Sequence, residues 1–550
     1  MKKFLLSALS TFVATSAIYA GGIVTNTNQS AAFIRMPAQD ATTGIQAVYH
    51  NPAGLTKLSD GFHIQVSNQS ISQTKEIENT YAPLNSHIYT GDVAAPIFPT
   101  VYAAYKTGDY VFSLGINPIG GGGGAEYKTG LPSFEIPVAS LPAMLSSQGI
   151  PTTAYSADIY FKGSSVYWGA QAGVSYKVND AVSFFLGGRY VMVKNTYQGH
   201  INDIKINPIV PGLTTGDMML APAFFKNLSS YLHSTSLSAA GAATSLQPVI
   251  DANAGGMTLA QLQGASVLTI DQVTQLKGGL VKFGVPAANV DAMTAAQIQG
   301  AYSQYSAGYQ QKADGATTNA ATTSNQEADA EQTGTGFTPI LGLDLTFLDN
   351  KLNVGIKYEF QTKMRVVNKT TKDIVSSPQF PDGEHIPSDM PALLSVGINY
   401  AATPEFRIAL GGHYYWDQAA MYGKKLNGIY VDNKDLLTDN SWELAAGLEF
   451  DVSPKVTISG GYLMTASSPT LAYQSDLSYS LRTSSVAIGA LGHINEALAV
   501  EIGFMYTSYN EDEKDSFVSP IGSTYKEIYR KKTLTAAIGV SYSFGKKSAE

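Results

Sequence analysis

Trp168-Gly169-Ala170-Gln171-Ala172-Gly173-Val174-Ser175-Tyr176 is the stretch whose reading decides the fold. Trp168, Ala170, Ala172, Val174 and Tyr176 share one face; Gly169, Gln171, Gly173 and Ser175 share the other. A two-residue period belongs to an extended strand, whose successive side chains point to opposite faces. The period returns along the chain. Leu352, Val354, Ile356, Tyr358 and Phe360 alternate with Asn353, Gly355, Lys357, Glu359 and Gln361. Leu498, Val500, Ile502, Phe504 and Tyr506 alternate with Ala499, Glu501, Gly503 and Met505. A soluble sandwich buries such an apolar face, whereas a membrane barrel shows it to lipid and turns the other face to the lumen.

The connections choose between the two. Fourteen strands are expected, at about 62–73, 97–107, 110–118, 164–177, 182–203, 337–348, 351–364, 392–401, 405–418, 440–452, 455–467, 480–493, 497–509 and 531–544. Every second connection is a tight turn: Gly108-Asp109, Val178–Ala181, Asp349-Asn350, Ala402–Pro404, Ser453-Pro454 and Asn495-Glu496. The alternate ones are long. Short turns at one end, long loops at the other and an even strand count match a bacterial outer-membrane barrel. After the first twenty residues no run of eighteen apolar residues follows, so no transmembrane helix is expected. A closed barrel, which pairs every backbone group between strands, is the remaining way across a bilayer. The expected class is all-β: a 14-stranded antiparallel transmembrane β-barrel in the outer membrane.

The chain begins Met1-Lys2-Lys3 and is apolar from Phe4 to Ala20, which reads as a signal peptide over 1–20 cleaved after Ala20. Its loss takes the formal charge from −8 to −10 by removing Lys2 and Lys3, and an acidic balance argues against a nucleic-acid partner. With no Cys there are no disulfides and no lipid-anchored cysteine. Residues 21–61 are small, polar and irregular and end in Tyr49-His50-Asn51-Pro52-Ala53-Gly54-Leu55, directly before the first strand. They are read as a plug threaded inside a barrel spanning 62–544, followed by a tail at 545–550. Gly539-Val540-Ser541-Tyr542-Ser543-Phe544 is similar to the C-terminal signal read by barrel-insertion machinery, although the tail and Ala537 depart from that pattern. All three Trp residues, 168, 416 and 442, take outward positions, as an interfacial aromatic belt would use them.

One connection is anomalous in length, at 205–336. Met218–His233 carries Leu220, Phe224, Phe225, Leu228, Tyr231 and Leu232 on one broad face, an amphipathic helix with Pro222 near its start. Thr258-Leu259-Ala260-Gln261-Leu262-Gln263-Gly264 is echoed by Thr294-Ala295-Ala296-Gln297-Ile298-Gln299-Gly300. Thr258 and Thr294 read as helix N-caps and the following Gly residues as stops. Ala313–Gly334 reads as a polar, disordered tail. The insertion is expected to be a few small helices on the extracellular side.

Asn51-Pro52-Ala53 at the end of such a plug resembles the signature of the FadL family, outer-membrane transporters of long-chain fatty acids and other hydrophobic compounds. Phe112–Gly120, Leu341–Phe347, Pro391–Tyr400 and Trp442–Phe450 are similar to strands of that family. The resemblance covers nearly all of the chain except the insertion and implies a fourteen-stranded barrel closed by an N-terminal hatch. It further implies a third strand kinked inward, capture of substrate by apolar helices in the long loops, and sideways release through the gap into the membrane.

Physical reading gives these expectations particular residues. A dry pocket rewards a long tail by roughly 0.8 kcal/mol per buried methylene, and release then needs an opening to lipid. Gly115, Asn117, Pro118, Gly120 and Gly121 suit that opening, since Pro118 cannot donate to a ladder and the glycines have no side chains to fill the gap. The alternative is that the glycine run merely starts a flexible loop. Phe224, Phe225, Leu228, Tyr231 and Leu232 are the candidates for capture, or else a face packed on the rim or plug. Asn51, Pro52 and Ala53 are expected to hold and gate the hatch, with His50 a hydrogen-bonding neighbour and not a metal ligand. Inward Arg189, Lys357, Arg407, Asp344, Glu359, Glu443, Glu449 and Glu501 can pair with one another and with Arg35 and Asp40 of the plug; alternatively, Arg189 or Lys357 meets a substrate carboxylate. No Gly-x-Ser-x-Gly or His-Glu-x-x-His motif is present, and no enzyme activity, metal or cofactor is expected. The partners expected are a hydrophobic small molecule, membrane lipid and the insertion machinery, and nothing requires more than a monomer. An aqueous porin or surface structural protein is the alternative, an outer-membrane hydrolase a more distant one.

Overall fold

The structure, a computed structural model, describes residues 23–374, 379–426, 428–518 and 522–545. The expected signal peptide and all of the tail beyond Gly545 lie outside the described residues. The described residues form two compact units, the second of Ser140–Ala157 and Asn202–Asn325, the first of the rest.

The first unit is built on fourteen antiparallel strands. They are β1 (Gly61–Asn79), β2 (Ile88–Thr107), β3 (Tyr110–Tyr127), β4 (Tyr155–Lys177), β5 (Val182–Ile206), β6 (Gln326–Phe347), β7 (Leu352–Glu359), β8 (Leu393–Ala401), β9 (Phe406–Tyr415), β10 (Leu437–Ser453), β11 (Val456–Pro469), β12 (Thr483–His493), β13 (Leu498–Tyr509) and β14 (Ser523–Gly545). Successive strands pair, and β14 returns to β1 in unbroken register from Gly61↔Gly545 to Asn79↔Glu527, which closes the barrel. The outward faces are apolar in bands: Phe184 and Leu186 on β5, Leu444 and Leu448 on β10, Ile502 and Phe504 on β13, and Ile538, Val540 and Phe544 on β14 are all exposed. An apolar surface on strand after strand is what a lipid-facing barrel presents and a soluble protein avoids. No described helix is long and apolar enough to cross a membrane.

Several strands run farther than the sequence pattern indicates. β6 begins at Gln326 instead of 337, and β4 at Tyr155 instead of 164. Above the apolar belt both faces are polar, so alternation disappears while the ladder continues. Part of the tail read as disordered is therefore strand: Ala330 pairs with Tyr197 of β5 and, on its other side, with Thr370 of the short strand Arg365–Lys372. The partner strands, and not an apolar face, order it.

The plug fills the barrel. It comprises α1 (Ser30–Arg35), α2 (Ala47–His50) and a 3-10 turn, Pro52–Lys57, and almost every residue from Ile23 to Thr56 is buried. It lies against a girdle of inward glycines. A Cβ on Gly355 would stand 2.1 Å from the Asp40 carbonyl oxygen, and one on Gly503 2.6 Å from the Arg35 nitrogen. Gly397, Gly411, Gly447, Gly461, Gly489 and Gly539 also bring plug atoms within 3.2 Å of a Cβ position, so each strand from β7 to β14 contributes one.

The second unit is helical: α4 (Leu141–Ser147), α5 (Ala221–Ser245), α6 (Gln247–Asp251), α7 (Leu259–Gly264), α8 (Ile270–Lys282), α9 (Ala287–Ala292) and α10 (Ala295–Thr322), while the remaining helix, α3 (Pro132–Ala139), belongs to the first unit. The helices are longer than expected. α5 and α10 pack as an antiparallel pair, stitched by Ser229 to the Ala313 carbonyl and Ser236 to the Ser306 carbonyl. Thr258 and Thr294 cap α7 and α10 in reciprocal boxes with Gln261 and Gln297, and the two caps bridge each other. A third box, Thr269 with Gln272, opens α8. Gly264 ends α7 as expected, but Gly300 lies inside α10, where continued packing of Tyr302 against the small core carries the helix past it. Ala313–Thr322, read as disordered, is the last part of α10.

Candidate functional site

The expected gating residues are seated on the wall. The Asn51 amide donates to Asp344 Oδ1 at 2.6 Å and to the Thr42 carbonyl at 3.2 Å. Asn353 donates to the same Asp344 oxygen at 2.7 Å and to the Ala41 carbonyl at 3.1 Å. Ser175 donates to the Pro52 carbonyl at 2.6 Å, and Ala53 packs with Phe185 and Ile340. One buried carboxylate thus gathers two amides, one from the plug and one from β7, through charge-assisted bonds. A second seat uses His413, whose Nε2 lies 2.8 Å from Asp40 Oδ1 of the plug and whose Nδ1 lies 2.7 Å from Glu443 Oε2. Glu443 also accepts from Tyr415, Thr465 and plug Thr27. A third joins Arg35 to Glu449 at 2.6 Å and Glu501 at 3.3 Å. Sequence reasoning named the carboxylates and missed His413, although it shares the inward parity of Arg407.

His50 is buried and stacks on Phe33, with ring centroids 5.8 Å apart. Its Nε2 lies 3.2 Å from the Gln29 carbonyl, to which only a protonated nitrogen can donate. Burial pushes its pKa down to about 4, against the pull of Asp40.

The wall is broken between β2 and β3. Their ladder runs from Thr107↔Tyr110 to Val101↔Ile116, then has no rung until Asp92↔Glu126. On its other side β3 slips register against β4 at Pro118/Gly120 and again at Gly120/Gly123. The causes are local. Gly121 has φ +86°, where L side chains are strained, and a Cβ there would meet the Ser165 carbonyl at 2.5 Å. Facing it, β2 carries Pro96 and Pro99, which have no N–H to donate. Gly115, expected at the kink, lies below it in the paired part, opposite Tyr102 and Gln171. Its closeness to Val48 of the plug, 3.0 Å from a Cβ position, accounts for a small residue there.

The free edge of β3 is taken by the start of the plug. Asn26 N donates to the Ile119 carbonyl at 2.8 Å, Gly121 N to the Val24 carbonyl at 3.1 Å, and Gln29 Nε2 to the Pro118 carbonyl at 2.7 Å. At the inner lip, Asn117 is buried with both its amide atoms lacking a partner among the described residues, as are the hydroxyls of Thr100 and Tyr102.

Arg189 and Lys357 come together in the lumen. Both pair with Glu359, Arg189 at 2.5 Å and Lys357 at 2.8 Å. Arg189 also donates to Gln171 at 2.7 Å, and Lys357 to the Tyr49 carbonyl at 2.8 Å. Their charges lie 5.1 and 4.4 Å from the centre of the Tyr49 ring, a favourable cation–π placement. The Tyr49 hydroxyl donates to the Asn26 carbonyl at 3.0 Å. Two cations thus share one carboxylate and hold the residue that holds the segment closing the gap.

A small apolar cleft is lined by Phe134, Phe161, Tyr197, Ile201, Ile374 and Phe380 among others. Tyr197 and Phe380 stack at 4.9 Å, and Phe134 meets Phe161 edge-on at 5.5 Å. Sequence reasoning did not find it, because its walls come from separate strands and from α3. The proposed capture residues do not form one open face. Phe224, Phe225 and Leu228 are buried, Leu232 is half-buried, and Tyr231 is exposed.

Comparison with known proteins places the fold. No family model and no curated protein sequence matches the chain. Among solved structures, a FadL homologue from Pseudomonas aeruginosa aligns over 95% of this chain and 100% of its own, at 12% identity and a TM-score of 0.55. The Pseudomonas putida toluene transporter TodX aligns over 92% of this chain and 95% of its own, at 13% identity and 0.46. The Ralstonia pickettii toluene transporter TbuX aligns over 92% and 98%, at 13% and 0.47. The chain is a plugged fourteen-stranded β-barrel. Its fold is that of the FadL homologue.

Proposed function

We propose that this protein carries hydrophobic small molecules across an outer membrane and releases them sideways into the bilayer. The observation that carries the reading is the broken β2–β3 ladder, whose free β3 edge is bonded to Val24 and Asn26. Edge groups left without a strand partner are costly at membrane depth unless protein covers them. Here a removable segment covers them. Transit begins at the apolar cleft, where each methylene buried against its rings contributes roughly 0.8 kcal/mol. The solute then moves past Tyr49 to the lip at Asn117 and leaves once residues 24–26 withdraw. The names of the similar structures, a FadL homologue and two toluene transporters, support a hydrophobic cargo. Phe224, Phe225, Leu228, Tyr231 and Leu232 have at most a first-contact role in this scheme, through Tyr231. Arg189 and Lys357 lie on this route beside Tyr49, and a cargo carboxylate reaching them competes with Glu359.

The test exploits the absence of native cysteine. Cysteines at Asn26 and Ile119, facing residues across the closed edge, are placed for a disulfide. Cells carrying the pair should lose uptake of labelled oleate and toluene when oxidised and regain it on reduction. Uptake that persists with the bridge complete by mass spectrometry would refute lateral release by this route.

A further inference from the structure

We propose a second anion site in the lumen, where Lys75 and Lys531 bind the charged head group of an amphiphile. The proposal rests on the hydrophobic-cargo reading for its ligand. Lys75 of β1 and Lys531 of β14 stand directly opposite each other in the ladder. Both point inward, only 2% and 9% exposed. Like charges directly across a ladder oppose folding, and burial adds to the cost. Folded proteins normally answer such a pair with a carboxylate. Here the inward neighbours are Gln73, Ile77, Gly91, Tyr529 and Thr533, all uncharged. The first inward carboxylate on either strand, Glu527, lies opposite Asn79. Among the described residues Lys75 makes no hydrogen bond and no ion pair.

The surroundings suit the neck of an amphiphile. Lys531 Nζ donates to the Tyr479 carbonyl at 2.8 Å and lies 4.1 Å from the centre of the Tyr479 ring. The ring of Tyr127 lies across Gly91, the other partner of Lys75, so close that a Cβ there would meet it at 2.3 Å. One aromatic face therefore covers the Lys531 ammonium, and a second ring lies against the ladder partner of Lys75. The outward residues at this level, Thr74, Glu76, Arg530 and Lys532, are polar, and the apolar belt of β14 ends at Leu534. The pair thus sits beyond the lipid belt, at the end of the lumen opposite the short turns. A lysine as buried as Lys75, with no hydrogen bond or ion pair among the described residues, is expected where function keeps it. A bound carboxylate supplies the missing charge, with charge-assisted bonds to both lysines.

The full-length protein in detergent tests this with two probes of equal chain length, dodecanoate and dodecanol, titrated against wild type, Lys75→Met, Lys75→Arg and Lys531→Met. Each Met variant should bind dodecanoate about ten- to hundredfold more weakly and dodecanol as wild type does. Lys75→Arg should retain dodecanoate, and Lys75→Met should unfold at the same or a higher temperature, since it relieves a repulsion. Unchanged dodecanoate affinity in Lys75→Met, or an equal loss of both probes, would overturn the anion site and leave the hydrophobic-cargo reading standing. Failure of wild type to bind either probe would bring down both.

Discussion

Replacing Gly355 and Gly503 together by Ala should unseat the plug. A Cβ at 355 would stand 2.1 Å from the Asp40 oxygen and 2.9 Å from Asn51 Cγ; at 503 it would stand 2.6 Å from the Arg35 nitrogen. Ordinary contact begins at 3.4 Å, so the plug must retreat by ~1.3 Å at the first site and ~0.8 Å at the second. The Asn51–Asp344 bond, now 2.6 Å, then approaches ~3.9 Å and is lost. Overpacking costs about 1–3 kcal/mol at each site, and sites on different strands add. A total of about 2–6 kcal/mol multiplies the unseated population by at least about 30. The assay is ion conductance in planar bilayers, where the double variant should show frequent openings to a state that wild type visits rarely. Gly278→Ala is the control, because a Cβ there meets nothing within 4 Å. Wild-type conductance in the double variant would mean that close approach of the wall does not hold the plug.

Acid should loosen the same element through His50. Its pKa of about 4 in the folded protein lies below the ordinary value of 6.5, so the fold favours the neutral ring. Stability from this group is complete above 6.5, falls as pH drops through the window to about 4, and amounts to roughly 3 kcal/mol. Conductance of wild type should rise across that window and that of His50→Gln should rise less; identical pH profiles would remove His50 as the cause. Excising the larger part of the second unit is the complementary experiment. β5 and β6 pair without interruption from Val182↔Leu345 to Ile201↔Gln326, so a short turn replacing 203–324 should leave the heat-sensitive gel mobility of a folded barrel. Loss of that mobility would show that the helices are needed for the barrel to form.

The barrel was legible because lipid imposes a period on residues such as Leu498 to Tyr506, and tight turns such as Gly108-Asp109 recur on one side. The polar ends of strands were not, since Gln326–Gly334 is ordered by its partners and carries no periodic signal. The gap was legible in part: Pro118, Gly120 and Gly121 marked β3, but the broken ladder also needs Pro96 and Pro99 of β2, which carry meaning only once the two strands are side by side. Pairing defeats sequence in the same way in the lumen. Parity tells that Lys357, Glu359 and His413 face inward, but not that Arg189 reaches Glu359 across strands or that Lys75 meets Lys531. The inward glycines were visible one strand at a time, and their common partner, the plug, was not.

The plug also dictates an order of assembly. It precedes β1, yet some of its partners lie at the other end of the chain: Arg35 bonds to Glu449 and Glu501, separated from it by 414 and 466 residues, and a Cβ on Gly539 would stand 3.2 Å from that of Ala31. None of these contacts can form until the last strands exist, and the β1–β14 seam then shuts the lumen along its whole length. A segment that precedes every strand thus gains these contacts only with the last of them, and the seam closes around it. Loop closure over such separations is slow, and the completed wall then becomes the lock on its own contents.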